Sequence, residues 1–112
     1  RYDRALAAAG GIDLLICGLG GNGHLGFNEP GPVLWGPTHV ATLHESTRAA
    51  NAALFGGVVD AVPRRALTMG MRAILGARRV LVLATGAAKA EAVAAMVQGP
   101  LTTACPASWL QV

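Results

Sequence analysis

Between Asp13 and Glu45 the sequence holds one charged side chain, Glu29, which follows His24 by five residues inside a segment crowded with glycine. A carboxylate beside an imidazole can hold one ring nitrogen protonated and raise the basicity of the other. His24 would then move protons near neutral pH. Asn22 stands two residues earlier and can hold the same ring from its other side. The plainer alternative has Glu29 capping backbone amides and His24 as a structural histidine. Its place just after an apolar run and a glycine turn weighs toward chemistry, because ligands of layered α/β folds collect at the carboxyl ends of strands.

That turn, Gly18-Leu19-Gly20-Gly21-Asn22-Gly23, matches the dinucleotide-binding spacing G-x-G-x-x-G. The motif needs its last glycine to open a helix that receives a pyrophosphate. Here the chain runs on through His24, Gly26, Pro30 and Pro32, a poor helix, so a nucleotide site is not expected. Gly20 and Gly21 instead suit a backbone that a ligand approaches closely. Lys89 follows Thr85-Gly86 in the first turn of an expected helix, where a cation opposes the helix dipole. An anion such as a phosphate at that end would relieve the conflict, while a solvated lysine paired with Glu91 is the alternative. His39 and His44 lie five apart, without the i, i+4 spacing of a zinc helix, so neither a metal nor a cofactor is expected.

These groups must be held by a chain of 112 residues that is 53% hydrophobic and 13% charged, which excludes a disordered segment and suits one small core. Its 22 Ala and 15 Gly imply close backbone packing and modest stability. No apolar run approaches the roughly 20 residues that cross a bilayer, and no signal-type core opens the chain. Cys17 and Cys105 read as two reduced, buried thiols of a cytoplasmic protein. The charge of +3 favours anionic ligands weakly. Arg64-Arg65 and Arg78-Arg79 lack interleaved aromatics, so nucleic acid is not expected as a partner.

The periodicities predict a helix over Arg4–Ala9, a strand over Ile12–Cys17, a loop over Gly31–Pro37 and a short strand over Val40–Leu43. A helix capped by Ser46 or Thr47 should run to about Phe55, and another from Ala66 to Leu75. A second strand, Arg79–Ala84, precedes a helix over Ala87–Gln98, whose Ala90, Val93, Ala94, Met96 and Val97 should face a core. Both strands are apolar nearly throughout, the pattern of a parallel sheet buried on both faces. The expected fold class is α/β, a Rossmann-like layered fold with a parallel sheet flanked by helices.

The stretch DLLICGLGGNGHLGFNEPG, from Asp13 to Gly31, resembles the signature of the glucosamine-6-phosphate deaminase (isomerase) family. The likeness continues through THVATLHESTRAAN, VPRRALTMGMRAIL, ATGAAKAEAV and CPASWLQ, about a hundred residues in all. The related 6-phosphogluconolactonases share a glycine-turn histidine but lack the FNEP continuation. The resemblance implies hydrolytic deamination of an amino sugar phosphate: glucosamine 6-phosphate is opened, isomerised from aldose to ketose, and released as fructose 6-phosphate and ammonium. A galactosamine-6-phosphate deaminase and a non-catalytic sugar-phosphate-binding module stay open as alternatives.

By that resemblance His24 moves a proton between the anomeric hydroxyl and the ring oxygen, Glu29 and Asn22 support it, and Lys89 meets the phosphate. Some members carry Asp at the Asn22 position, so His24 should depend more on Glu29 for charge balance. Ala53 stands where many members have a phosphate-gripping arginine. The family's acidic base for C2–C1 proton transfer and its phosphate loop fall upstream of Arg1, and its chains continue past Val112. The 112 residues are therefore expected to be a single partial domain, a C-terminal part of a larger enzyme, inactive alone and marginal or aggregation-prone. The family includes oligomers, which leaves a homo-oligomer open.

Overall fold

The computed structural model describes all residues, Arg1–Val112. The elements run α1 (Tyr2–Ala8), β1 (Leu14–Gly18), β2 (His39–Thr42), α2 (Glu45–Asn51), β3 (Arg65–Thr68), α3 (Met71–Gly76), β4 (Arg79–Leu83) and α4 (Ala90–Gln98). Turns of 3-10 helix occupy Ala52–Phe55, Val59–Ala61, Ala87–Lys89 and Pro106–Gln111. No helix is long and apolar enough to cross a membrane.

β1 and β4 pair in parallel, with Leu14 opposite Arg79 and Gly18 opposite Leu83. Parallel neighbours cannot be joined by a tight turn, and here everything between Gly18 and Arg79 forms the crossover. β2 and β3 form a separate antiparallel ribbon, with His39 opposite Thr68 and Thr42 opposite Arg65. The class is α/β, a parallel sheet with helices packed on it, as expected. One face of β1–β4 presents Leu15, Cys17 and Val82 to a core of Leu19, Leu25, Met71, Ile74, Ala92, Cys105 and Ala107. Leu25, wholly buried, anchors the glycine-rich loop in that core. Removing a leucine of this size from water contributes about 1.5–3 kcal/mol.

Several expectations change. The strands alternate rather than being buried on both sides: Ile16 is 58% exposed, as is Leu83, while Leu14 and Leu81 also face outward. Helices α3 and α4 and the turn at Pro106–Gln111 contribute to the core on one face only. The same asymmetry changes the expected stripe of α4. Ala92 is buried with Val93, Ala95 and Met96 packed nearby, whereas Ala90, Ala94 and Val97 are exposed. Residues 66–75 are not one helix. Arg65–Thr68 extends to pair with β2, and α3 begins only at Met71. Gly70, before α3, lets the Gly36 and Pro37 carbonyls approach within 2.1–2.2 Å of where a Cβ would stand.

α2 starts at Glu45 with His44 as its N-cap, not at Ser46 or Thr47, and it tightens at Ala52 before Gly56 stops it at φ 69°. Arg48, 3% exposed, ties α2 to the turn that follows. Its guanidinium donates to the Val62 carbonyl at 3.0 and 3.2 Å and to the Val59 carbonyl at 3.1 Å. Its ion pair with Glu45 spans 3.1 Å, but Glu45 is 76% exposed, so water screens the carboxylate and the pair contributes little. The carbonyls decide the energetics. Arg48→Met should destabilise by about 1–3 kcal/mol for each buried carbonyl left without a donor. Urea unfolding measures this, and a Glu45→Gln control should change stability by less than about 1 kcal/mol.

Candidate active site

β1 ends at Gly18 and the chain folds straight into a compact loop closed by two backbone bonds, from the Gly23 amide to the Gly20 carbonyl and from the Gly20 amide to the His24 carbonyl. No helix follows, so the dinucleotide reading fails on geometry as well as on sequence. The loop is pinned to the core behind it. Gly23 has φ +87°, and a Cβ there would approach the Cys105 sulfur to 2.7 Å. The Ala107 amide donates to the Gly23 carbonyl at 2.9 Å. Further along, the Asn28 side-chain amide donates to the carbonyls of Leu25 and Met69, and the Thr68 hydroxyl accepts the Phe27 amide. These bonds join the loop to the end of β3.

The folded loop sets His24 across Gly20. A Cβ built on Gly20 would lie 2.1–2.4 Å from three atoms of the imidazole. His24, with a side chain 15% exposed, turns Nδ1 toward three oxygens: Asn22 Oδ1 at 2.6 Å, Glu29 Oε1 at 3.0 Å and Thr47 Oγ1 at 3.4 Å. Acceptors on this side favour the tautomer that carries its proton on Nδ1. Nε2 is then the basic nitrogen, and none of the side-chain hydrogen bonds engages it.

Glu29, with a side chain 7% exposed, lies behind the ring. Its carboxylate accepts the His44 amide at 2.5 Å and the Thr47 hydroxyl at 2.8 and 2.9 Å. Glu29 thus both lies against His24 and accepts one backbone amide, that of His44. Burial pushes the His24 pKa below the ordinary histidine value. Glu29 opposes that shift, while Lys89 and His44 add to it.

In front of the imidazole opens a cavity of about 630 Å³. Gly18 to Asn22, His24, Ser46, Thr47, Asn51 and Lys89 contribute to its wall. Gly20, Gly21, Asn22, His24 and Lys89, separated by up to 69 positions in sequence, thus share one space, and Glu29 stands just behind it. Gly21 has open space where a side chain would be. Lys89 caps the N-terminus of α4, as its sequence position suggested, but its ammonium turns back to the Leu19 carbonyl at 2.6 Å. A stronger, anionic partner would compete for that contact.

Lys89 is the one cation of the cavity wall, which includes neither an arginine nor a carboxylate. Ala53 is exposed on the turn after α2 and lies outside the wall, and the neighbouring Arg48 is already committed to carbonyls. His39 and His44 do not join His24. His39 bonds the Pro37 carbonyl at 2.8 Å, and His44 serves through its backbone amide. Both cysteines are free, with Cys105 buried and Cys17 only half-buried, its thiol pKa raised by burial.

Sequence reasoning missed Thr47, which it assigned as a helix cap. No spacing rule links position 47 to Glu29, 18 residues away. The THVATLHESTRAAN likeness pointed to the stretch without pointing to the hydroxyl.

A parallel strand ending in a glycine loop, with an imidazole facing a cavity whose wall includes a lysine, is the kind of place where layered α/β folds collect small molecules. The profile described as glucosamine-6-phosphate isomerases/6-phosphogluconolactonase matches residues 35–112, and the chain belongs to that family. The glucosamine-6-phosphate deaminase of Streptomyces avermitilis is 52% identical over 99% of this chain. That of Rhodopirellula baltica is 54% identical over the same share. The solved structure of a monomeric glucosamine-6-phosphate deaminase superposes with a TM-score of 0.91, at 46% identity over 98% of this chain. The chain spans 42% and 44% of those two curated relatives and 45% of that solved chain. The loop bearing Asn22, His24 and Glu29 precedes the profile match but falls almost wholly within the span shared with the relatives.

Proposed function

We propose that this chain carries the ring-opening part of an amino-sugar-phosphate deaminase acting on glucosamine 6-phosphate. The observation that carries the reading is the His24 geometry: Nδ1 held by Asn22 and Glu29, Nε2 free beside a cavity that also holds Lys89. In this reading Nε2 accepts the proton of the anomeric hydroxyl. The C1–O1 bond becomes a carbonyl as the C1–O5 bond breaks, and the same proton passes from Nε2 to O5. Asn22 and Glu29 keep the ring oriented, and Glu29 offsets the charge while Nε2 holds the proton. Gly20 and Gly21 let the sugar lie against the backbone, and Lys89 exchanges the Leu19 carbonyl for the substrate phosphate. The later C2–C1 proton transfer needs a second base, and no carboxylate in the cavity wall offers one.

The deaminase names of the relatives support this substrate class. Galactosamine 6-phosphate, differing at one hydroxyl, is the close alternative. The single cation in the wall favours a second reading as well, a sugar-phosphate-binding module without turnover. Ammonium release from the two amino sugar phosphates, assayed side by side on the protein containing this chain, separates these readings. Release from glucosamine 6-phosphate is expected. Binding by calorimetry without release of ammonium would favour the module. Lys89→Met should raise KM about 10- to 100-fold with kcat little changed, the loss expected for one charge-assisted hydrogen bond that substrate and transition state share. An unchanged KM would remove Lys89 from the phosphate site.

A further inference from the structure

We propose that Thr47 is a positioning residue that holds Glu29 in the orientation facing His24. The Thr47 side chain is among the few that are completely buried, and it projects from α2 rather than from the glycine loop. Its hydroxyl lies 2.8 and 2.9 Å from the two oxygens of the Glu29 carboxylate and 3.4 Å from Nδ1 of His24. One hydroxyl proton thus serves both carboxylate oxygens, centred on the carboxyl group and not on one end of it. The His44 amide holds Oε2 at 2.5 Å, which leaves Oε1 directed at the imidazole.

Without the hydroxyl, the His44 amide is the one donor besides the imidazole itself that holds the carboxylate, and rotation about the bond joining it to the chain can withdraw Oε1 from the ring. Thr47 is itself held. The Asn51 side chain donates to its carbonyl at 2.8 Å, and Arg48 fastens the same turn of helix to Val59 and Val62. A hydroxyl so buried and so restrained costs little further entropy to use.

The charged and titratable groups that act on His24 are Glu29 from its own loop, His44 from the start of α2 and Lys89 from the start of α4, and its neutral polar neighbours are Asn22 and Thr47. Only Glu29 raises its proton affinity, so loosening Glu29 leaves the burial, Lys89 and His44 effects unopposed. Thr47→Val keeps the shape and removes the donor. The expected result is a lower His24 titration midpoint by imidazole NMR, with Thr47→Ser restoring it. In a Glu29→Gln background, Thr47→Val should cause no further change, because the hydroxyl acts through the carboxylate.

The catalytic consequence rests on the ring-opening reading, but the titration does not. In turnover, kcat should fall about 10- to 100-fold with KM nearly constant, as misplacement of a catalytic group by about 1 Å produces. If Thr47→Val proves unfolded, Thr47→Cys retains a weak donor of similar size and should give a smaller shift in the same direction. An unchanged or raised His24 midpoint in a folded variant overturns the proposal, as does a full-sized shift in the Glu29→Gln background. A normal shift with no ammonium release from the parent protein would instead count against the deaminase reading alone.

Discussion

His24→Gln is expected to lower ammonium release from glucosamine 6-phosphate by about 10²–10⁴-fold, the usual contribution of a positioned general acid–base group. Glutamine can still bond Asn22 and Glu29 with its amide, so the loop should keep its shape and substrate binding should change little. What it lacks is a nitrogen that takes up and returns a proton. Calorimetric binding together with the release assay distinguishes loss of chemistry from loss of the site. Unchanged turnover would remove His24 from the mechanism.

The pH profile follows from the same environment. Burial, the dominant influence, holds the His24 pKa below 6.5, so the basic form persists into mildly acid solution. In kcat/KM the acid limb should therefore bend below pH 6.5, and Glu29→Gln should move the bend lower still by removing the one group that raises the pKa. Folding stability is linked with the same sign. The unfolded chain binds more protons than the native one between the two pKa values, so this contribution is fully present above pH 6.5 and is lost as the pH falls toward the native value.

Gly20→Ala should be nearly as damaging to turnover, through geometry alone. The new methyl group would fall 2.1–2.4 Å from the imidazole, well inside van der Waals contact, so the ring must leave its position. It would then lose its bonds to Asn22 and Glu29, whereas Glu29 would keep Thr47 and His44. A loss of about 10²-fold in kcat is the expected result of such a displacement. Gly20 does not have positive φ, so alanine brings no backbone strain. Its gain of up to about 1 kcal/mol from a stiffer unfolded chain offsets part of the lost contacts. Melting temperature should thus move little while activity collapses. Gly76→Ala, with open space at its Cβ and a place at the end of α3, is the matched control and should retain activity. If Gly20→Ala keeps both activity and stability, the ring does not lie across Gly20 in solution.

Some of this was legible in the residues. The apolar runs that became β1 and β4 declare themselves as strands, because short continuous runs rich in aliphatic residues between turn signals mark a strand. His24 and Glu29 stand out because Glu29 is the only charged side chain in a long uncharged stretch and His24 the only histidine of its glycine-rich turn. Lys89 was marked by its conflict with a helix terminus, and its ammonium donates to the Leu19 carbonyl. The segment Ala66–Leu75 misled. Its residues tolerate a helix, and the extension of Arg65–Thr68 comes from pairing with His39–Thr42, some 26 positions upstream.

By itself, then, the sequence determined the local terms: which segments can be strand or helix, where glycine must turn the chain, and which side chains carry acid, base and positive charge. Their assembly was decided only in three dimensions. The parallel β1–β4 pair brings Leu19 beside Lys89, and α2 delivers the Thr47 hydroxyl and the His44 amide to Glu29. The sheet is covered on one side, which leaves Ile16 and Leu83 exposed despite strands that read as fully buried. The reason is physical. Propensity and periodicity act over a few neighbouring residues, whereas a hydrogen bond between Thr47 and Glu29 exists only once long-range packing has overcome the chain entropy separating them.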